Sequence, residues 1–168
     1  MAREILFKAK RIDNGKWVEG YYIYHIKRTP CVLNDCVKPE DEQHVIMCDG
    51  FSDWNMPRDT VHYDIDPNTL CQYTGLTDKN GNKIFENDVL DADEVNSLVR
   101  FDEENARFVL DDYGIKGCLM EYGFDENAGG YGFIETNGFD DFMDIAEVVE
   151  VIGNIFDNPE LLGGADNG

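Results

Sequence analysis

Carboxylates are the side chains of this sequence best placed to do chemistry. Asp88, Asp91, Asp93 and Glu94 lie close together. Asp91 and Asp93 alternate, so a strand would put them on one face, where they could bind the Mg²⁺ of a metal-dependent nuclease. The chain contains 35 Asp and Glu residues, however, so such a cluster is expected by chance. We expect solvated acidic side chains here, and we keep a metal-dependent enzyme using Asp88, Asp91 and Asp93 as an alternative.

Thiols and imidazoles offer a second chemistry, zinc binding. The candidate ligands are Cys31, Cys36, His44 and Cys48. Their spacing lacks the paired C-x₂-C signature of structural zinc sites. Five cysteines are an odd number, and no export signal precedes them, so reduced thiols are expected. The histidines, His25, His44 and His62, stand at no motif spacing from Ser or Cys, which favours surface or core roles over catalysis.

Motifs of the common enzyme classes are absent from the sequence. It contains no G-x-x-x-x-G-K-[ST] loop, G-x-S-x-G elbow, H-E-x-x-H helix or paired C-x-x-C. The glycine-rich segment 129–132 lacks the strand and helix that a dinucleotide-binding loop needs. The sequence therefore predicts no catalytic residue, no cofactor and no enzyme activity.

Charge is distributed unevenly along the chain. There are 14 Lys and Arg against 35 Asp and Glu, a net charge of −21. Residues 1–30 hold seven basic and three acidic residues, which gives +4, and residues 31–168 hold seven and 32, which gives −25. An acidic body repels the phosphate backbone, so direct nucleic-acid binding is disfavoured. A second alternative follows: the acidic surface could mimic nucleic acid and inhibit a host DNA-binding protein.

The basic N-terminal arm is the candidate interaction surface. Its residues are Arg3, Lys8, Lys10, Arg11 and Lys16. We expect them on the solvated face of a hairpin, where they pair with acidic strands or with a neighbouring subunit, rather than on phosphates. The arm and the acidic body make a homo-oligomer a candidate state.

Two Asn-Gly dipeptides predict β-hairpins. Asn14-Gly15 separates the β-prone segments 5–12 and 16–24, and Asn80-Gly81 separates 73–76 and 83–85. Asn-Gly is the strongest signal for a type I′ turn, which needs positive φ at both central residues. We expect a type I′ turn at each. An acidic second turn follows at residues 86–88.

The rest of the pattern predicts short strands and a long connection. Residues 29–67 are punctuated by prolines and read as loop-rich. The predicted strands are 45–47, 61–63, 98–101, 107–110 and 148–156, with an acidic turn at 102–105. A Gly-rich and aromatic excursion over 111–138, packing its own aromatics rather than stacking bases or sugars, and a short helix over 140–149 complete the pattern.

Three blocks of the sequence resemble one family. Phe7–Tyr21 (FKAKRIDNGKWVEGY), Tyr73–Leu90 (YTGLTDKNGNKIFENDVL) and Glu150–Leu162 (EVIGNIFDNPELL) resemble, in the same order, the YopX family of bacteriophage and prophage proteins. Asn87 stands where that family usually has Gly, and Asn tolerates left-handed backbone. The resemblance implies structural roles for Trp17, Gly20, Tyr73, Gly75, Asn80, Gly81, Asp88, Gly153, Asn154 and Pro159. It also implies an SH3-like barrel in the C-terminal part.

Together these features predict a mainly β protein with minor helix. We expect a loop-rich β region with a basic hairpin over 1–66, a small SH3-like barrel over 67–163 and a flexible tail over 164–168. No apolar run approaches the roughly 20 residues that span a bilayer, so no membrane association and a cytoplasmic location are expected, in the host cell if the protein is phage-encoded. The predicted function is that of a phage or prophage accessory protein, a non-catalytic interaction or assembly protein with an unknown protein partner.

Overall fold

A computed structural model describes residues 4–29, 36–92, 95–112, 115–118, 122–125, 130–133 and 149–162. Over these residues the protein is mainly β, which confirms the predicted fold class. The strands are β1 (Phe7–Lys10), β2 (Trp17–Ile26), β3 (Glu42–Asp49), β4 (Thr60–Asp64), β5 (Cys71–Thr77), β6 (Lys83–Phe85), β7 (Asp88–Ala92), β8 (Val95–Asp102), β9 (Arg107–Asp112), β10 (Ile115–Cys118), β11 (Tyr122–Asp125), β12 (Gly130–Phe133) and β13 (Glu150–Asn154). Short 3₁₀ turns lie at Pro39–Asp41, Pro67–Thr69 and Pro159–Leu162.

The chain forms two compact units, Met1–Gln72 and Tyr73–Gly168, which divide within β5. The domain ranges 1–66 and 67–163 that the sequence predicts are not tested by this division, and they stay a prediction. At that predicted boundary Asp66 caps a 3₁₀ turn, because its side chain accepts a hydrogen bond of 3.0 Å from the Asn68 amide. The predicted helix over 140–149 lies outside the described residues except for Val149, and so does the tail 164–168.

The first unit is built on four antiparallel strands in the order β4-β3-β2-β1, with the first residues of β5 added beside β1. Alternation along each strand puts one side-chain set on a common face. There Ala9, Ile46 and Ile65 are buried, and they form a small core. The side chains packed against it are Phe7, Val18, Tyr22 and Leu70.

The ends of β1 and β4 meet at one corner of the first unit. Arg11 and Ile65 form an antiparallel bridge. The Ile12 amide donates to the Asp64 carbonyl at 3.0 Å, and the Asp66 amide donates to the Lys10 carbonyl at 2.9 Å. The first unit thus has more regular structure than its proline-rich sequence predicts, since β3 and β4 extend the two short strands expected there.

Both Asn-Gly hairpins form, but neither has the predicted type I′ turn. Gly15 and Gly81 have φ of 69° and 82°, whereas neither asparagine is among the described residues with positive φ. At the second hairpin the Gly81 amide donates to the Asp78 carbonyl at 2.9 Å and the Asp78 amide donates to the Asn82 carbonyl at 2.8 Å. This is a longer loop with a single left-handed glycine. The type I′ prediction is wrong because side chains near each turn bind the loop backbone.

The second unit contains a five-stranded antiparallel sheet in the order β10-β9-β8-β7-β13 and a separate β11-β12 hairpin. One buried cluster of its core is aliphatic and consists of Ile84, Leu90, Val99, Leu110 and Val149. Within the described ranges β10 and β13 are the two edge strands of this sheet, and they do not pair with each other. The SH3-like barrel implied by the family resemblance is therefore not confirmed, although the hairpin around 102–105 and the final strand are present.

Candidate interaction surfaces

The basic arm forms a strip of cations held against an aromatic ring. Lys10 lies opposite Trp17 and Lys8 lies opposite Glu19 in the β1-β2 register, so all four side chains share a face. The Lys8 and Lys10 Nζ atoms lie 5.3 Å and 5.5 Å from the centroid of the Trp17 ring. At these distances a cation is attracted to the face of an indole. Trp17 therefore contacts two of the predicted interaction residues.

Arg11 is held by a ring and a carboxylate. Its guanidinium lies 3.8 Å from the centroid of Tyr63, and its Nε donates to Asp13 Oδ1 at 2.9 Å, with a second bond from Nη2 to Oδ2. The hydrogen bond with Asp13 raises the pKa of Arg11 above its ordinary value. Lys16 is exposed at the turn, where its amide binds Asn14 Oδ1. Arg3 lies outside the described residues.

The first unit also contains a histidine contact that the sequence did not indicate. Tyr22 Oη and His44 Nδ1 share a hydrogen bond of 2.7 Å, and His44 Nε2 lies 3.8 Å from Glu42 Oε2. Burial raises the pKa of the Tyr22 phenol, which makes it a poorer nucleophile. The hydrogen bond therefore orients the Tyr22 and His44 side chains relative to each other. Tyr22 pairs with Ile46 in the β2-β3 register. The spacing of residues in the sequence does not reveal which residues of the two strands lie opposite each other.

The loop joining β3 to β4 exposes three large apolar side chains. Phe51, Trp54 and Met56 have exposed fractions of 94%, 93% and 64%. We call residues 50–59 the aromatic loop. From the sequence this stretch is predicted only as loop. Its signal was present in the sequence GFSDWNMPRD, where two aromatics and a methionine stand outside any strand alternation.

The aromatic loop is fixed at its base and at its tip. Its two ends meet where the Gly50 amide donates to the Asp59 carbonyl at 2.6 Å, and Arg58 Nη1 binds Asp49 Oδ2 at 2.8 Å. At the tip the Met56 amide donates to the Asp53 carbonyl at 3.1 Å. Asn55 has a φ of 65°, a conformation that Asn tolerates. The apolar side chains are thus presented by an ordered turn.

The predicted carboxylate cluster does not assemble into a metal site among the residues that the structure describes. Asp88 is buried, and its Oδ2 accepts a hydrogen bond of 2.8 Å from the Phe85 amide across the second turn. Asp88 and Asp91 are three residues apart on β7, so they point to opposite faces. Asp93 and Glu94 lie outside the described residues. Asn87 has a φ of 65°, which confirms that this turn tolerates Asn.

The thiols and histidines of the proposed zinc set are likewise not assembled where the structure describes them. Cys36 is exposed, Cys48 is half-buried on β3 and Cys31 is outside the described residues. The described ranges contain no group of three or more His, Cys, Asp or Glu side chains arranged to hold a metal ion. Of the other histidines, His25 lies opposite Gln43 and His62 lies opposite Met47.

Asp78 is a buried carboxylate of the second unit that accepts four hydrogen bonds. Its Oδ1 accepts hydrogen bonds from the Asn80 and Asn82 amides at 2.9 Å and 2.8 Å. Its Oδ2 accepts from Asn82 Nδ2 at 3.0 Å and from the Val151 amide at 3.1 Å. Burial alone would raise the pKa of Asp78, but these hydrogen bonds lower it below the ordinary value. Asp78 therefore joins the Asn80-Gly81 loop to β13.

The family model described as YopX protein matches residues 6–163. The chain belongs to the YopX family. No curated protein matches it. The YopX match thus confirms the resemblance carried by the three sequence blocks and extends it over the stretches between them.

The YopX motif residues occupy structural positions. Added Cβ atoms at Gly20 and Gly153 would lie 2.3 Å from the Met47 carbonyl oxygen and 2.6 Å from Asn158 Oδ1. Gly75 and Gly81 have positive φ. Asn154 Oδ1 accepts from the Phe156 and Asp157 amides, and Tyr73 packs on Phe85 with ring centroids 5.5 Å apart. Pro159 begins a 3₁₀ turn.

The described ranges contain no helix long and apolar enough to cross a membrane.

Proposed function

We propose that this YopX-family chain is a phage- or prophage-encoded accessory protein that acts without catalysis, in the host-cell cytoplasm, by binding a protein. The phage association rests on the family. The absence of catalysis rests on the sequence, which contains none of the motifs of the common enzyme classes.

The observation that carries the proposal is the ordered aromatic loop. Exposing Phe51, Trp54 and Met56 together is costly in water, because each loses the free energy that burial of a large apolar side chain provides. A free loop that collapses could cover them, but the two ends of this loop are joined by the Gly50–Asp59 hydrogen bond, and its tip is ordered by the bond from the Met56 amide to the Asp53 carbonyl. Preorganised aromatic side chains are the usual anchors of protein interfaces.

The cation strip supports the same reading. Lys8 and Lys10 lie over the Trp17 ring, and cations ordered by such a contact recognise acidic side chains at low entropic cost. The strip is short, and the chain as a whole has a charge of −21. Both features favour a protein partner over a nucleic acid.

The test compares a variant of the aromatic loop with a control variant, both of which remove exposed aromatic side chains. Phe51→Ser with Trp54→Ser removes the loop anchors, and Tyr21→Ser removes an aromatic of β2 that is 55% exposed. Tagged chains are purified from lysogenic cells, and complexes are measured by mass spectrometry and by light scattering at low and high salt. We expect the loop variant to lose complexes that wild type and Tyr21→Ser retain. Complexes that survive the loop change, or a wild-type chain that is monomeric at every salt concentration and has no partner, would contradict the proposal.

The acidic-mimic alternative rests on a different observation, the charge of −25 on residues 31–168. An inhibitor of this kind binds the basic groove of a DNA-binding protein and competes with DNA. Competition by the purified chain for a host DNA-binding protein, abolished by neutralising carboxylates but not by the loop variant, would favour it.

A further inference from the structure

The open edge of the first unit lies at strand β4. The β3-β4 register runs without a shift, and backbone hydrogen bonds join Gly50 to Asp59 at one end and His44 to Ile65 at the other. These two pairs are therefore hydrogen-bonded pairs of the ladder. Hydrogen-bonded pairs alternate with non-bonded pairs in an antiparallel ladder. The backbone groups of Thr60 and His62 therefore point away from β3. In the part of the chain that the structure describes, no strand pairs on that side.

The open stretch is short because one end is occupied. The Ile12 amide already donates to the outward carbonyl of Asp64, so a further strand can pair only along Thr60–His62. Edge strands are usually protected by proline, lysine or a bulge, and β4, TVHYD, has no proline or lysine and pairs with β3 without a register shift. This edge is available for pairing.

The edge is complementary to itself. If a second β4 lies antiparallel beside the first, Thr60 faces His62 of the partner subunit and His62 faces Thr60 of the partner subunit, with each pair exchanging two backbone hydrogen bonds. We propose that the β4 edge and the aromatic loop form a two-fold interface between two copies of this chain. This inference rests on the proposed function and names a second copy as the partner of the loop.

The antiparallel arrangement also places the aromatic loop. It precedes Thr60, so in the pair it continues past the partner's His62 and reaches the partner's Ile12, where strand pairing ends. Ile12 is 68% exposed, and it gives Trp54 and Phe51 an apolar surface to cover. Charge favours this contact: residues 50–59 have one basic and two acidic residues, a net of −1, and residues 11–16 have two basic and one acidic, a net of +1. A membrane is the less favoured occupant, because a net charge of −21 is repelled by anionic lipid.

Tryptophan emission can report burial of the loop directly. The chain has two tryptophans, so Trp17→Phe leaves Trp54 as the reporter. Raising the concentration of Trp17→Phe should shift its emission to shorter wavelength, and light scattering should show a mass near twice the 19.1 kDa chain. Adding Trp54→Ser to wild type should raise the dissociation constant about tenfold or more. High salt should leave the dimer largely intact, since apolar burial and backbone bonds are weakly screened.

Edge pairing is tested at His62. His62→Pro removes the outward amide and leaves the β3-β4 bonds, so it should abolish the dimer while the circular dichroism spectrum is retained. His62→Asn keeps the amide and should keep the dimer. Tyr21→Ser is the surface control and should also keep it.

Four outcomes overturn the inference. They are a monomer at all concentrations, a dimer that Trp54→Ser and His62→Pro leave unchanged, a dimer that Tyr21→Ser disrupts equally, and a blue shift of Trp54 that requires vesicles of phosphatidylcholine and phosphatidylglycerol. If the chain is monomeric but its loop variant loses a different protein, the inference fails and the proposed function stands. If the loop variant retains every complex that wild type forms, both the inference and the proposed function fail.

Discussion

The two units of the chain hold their buried carboxylates in different ways. In the first unit Asp41 accepts a hydrogen bond of 3.0 Å from the Lys38 amide and also binds Arg28 Nε at 2.8 Å, so one of its donors is a charged and partly exposed side chain. In the second unit Asp78 and Asp88 are buried and accept hydrogen bonds from backbone amides. Ion pairs at a surface are screened and contribute little, whereas a buried acceptor bound by neutral donors is costly to disturb. The described part of the second unit is thus stabilised from within.

Exposed apolar side chains show the same contrast. Among the described residues most large exposed ones belong to the first unit, which has Ile5, Ile12, Tyr21, Tyr24, Ile26, Phe51, Trp54 and Met56, whereas the second has Phe101 and Leu162. The first unit also has the smaller fully buried cluster. Among the described residues the first unit thus presents most of the exposed apolar surface, while residues 73–90 contribute buried side chains such as Ile84 and Leu90 to the core of the second.

The largest expected effect is loss of core packing in the second unit. Leu110 is fully buried among aliphatic side chains, so Leu110→Ala should lower the free energy of unfolding by about 3 kcal/mol through lost burial and a cavity. Urea unfolding followed by circular dichroism measures it. The control is Phe51→Ala in the aromatic loop, which should change stability by less than about 0.5 kcal/mol. Equal losses would mean that the loop is packed and that the contrast between the units is wrong.

Removing the charge of Asp78 should have the next largest effect. Asp78→Asn keeps the shape but replaces one acceptor oxygen with a donor that faces donors, so about 2 kcal/mol of stability should be lost at neutral pH. The pKa of Asp78 is lowered in the folded state. Its stabilisation is therefore complete above the unfolded pKa of about 3.9 and is lost as the pH falls through the folded pKa. The gap between wild type and Asp78→Asn should close on acidification below about pH 4.

The salt dependence of stability should distinguish Asp78 from Asp41, the buried carboxylate of the first unit. The hydrogen bond from Arg28 lowers the pKa of Asp41, and the pair is partly exposed, so 1 M NaCl should weaken its contribution. The neutral donors around Asp78 give no such dependence. Stability of Asp41→Asn and Asp78→Asn relative to wild type, measured at low and high salt, tests this. A salt dependence that is the same for both variants would contradict the comparison.

The sequence indicated much of this second-unit structure and less of the first. Asn80-Gly81, the acidic turn and the 102–105 hairpin were readable because turn residues act locally. The turn type was not, since it depends on the Asp78 carboxylate reaching Val151, which is 73 positions distant. The interaction residues Lys8 and Lys10 were predicted, but their contact with Trp17 requires the strand register. The aromatic loop was missed because exposure is a tertiary property that periodicity does not report.

Two motif glycines offer a test in both units. An added Cβ at Gly20 meets the Met47 backbone oxygen, which cannot move without distorting β3. At Gly153 it meets the ends of the Asn158 and Leu161 side chains, which can rotate. Gly20→Ala should therefore cost about 2 kcal/mol and Gly153→Ala about 1 kcal/mol. The order is checked by thermal unfolding, with Gly81→Ala as a reference for strain at positive φ, and the reverse order would show that β13 is the more rigid environment.

The smallest expected effect concerns the cation strip. Replacing Trp17 with Leu removes the ring beneath Lys8 and Lys10, and the loss should be about 0.5–1 kcal/mol, because these cations are partly solvated and keep much of their hydration. A double-mutant cycle with Lys10→Met isolates the interaction from the packing of the indole, since each single change also removes apolar contact. Coupling near zero would mean that the strip is ordered by the β1-β2 register alone. A measurable coupling would mean that Trp17 positions the cations, so that Trp17→Leu should weaken binding of an acidic partner while leaving the aromatic loop unaffected.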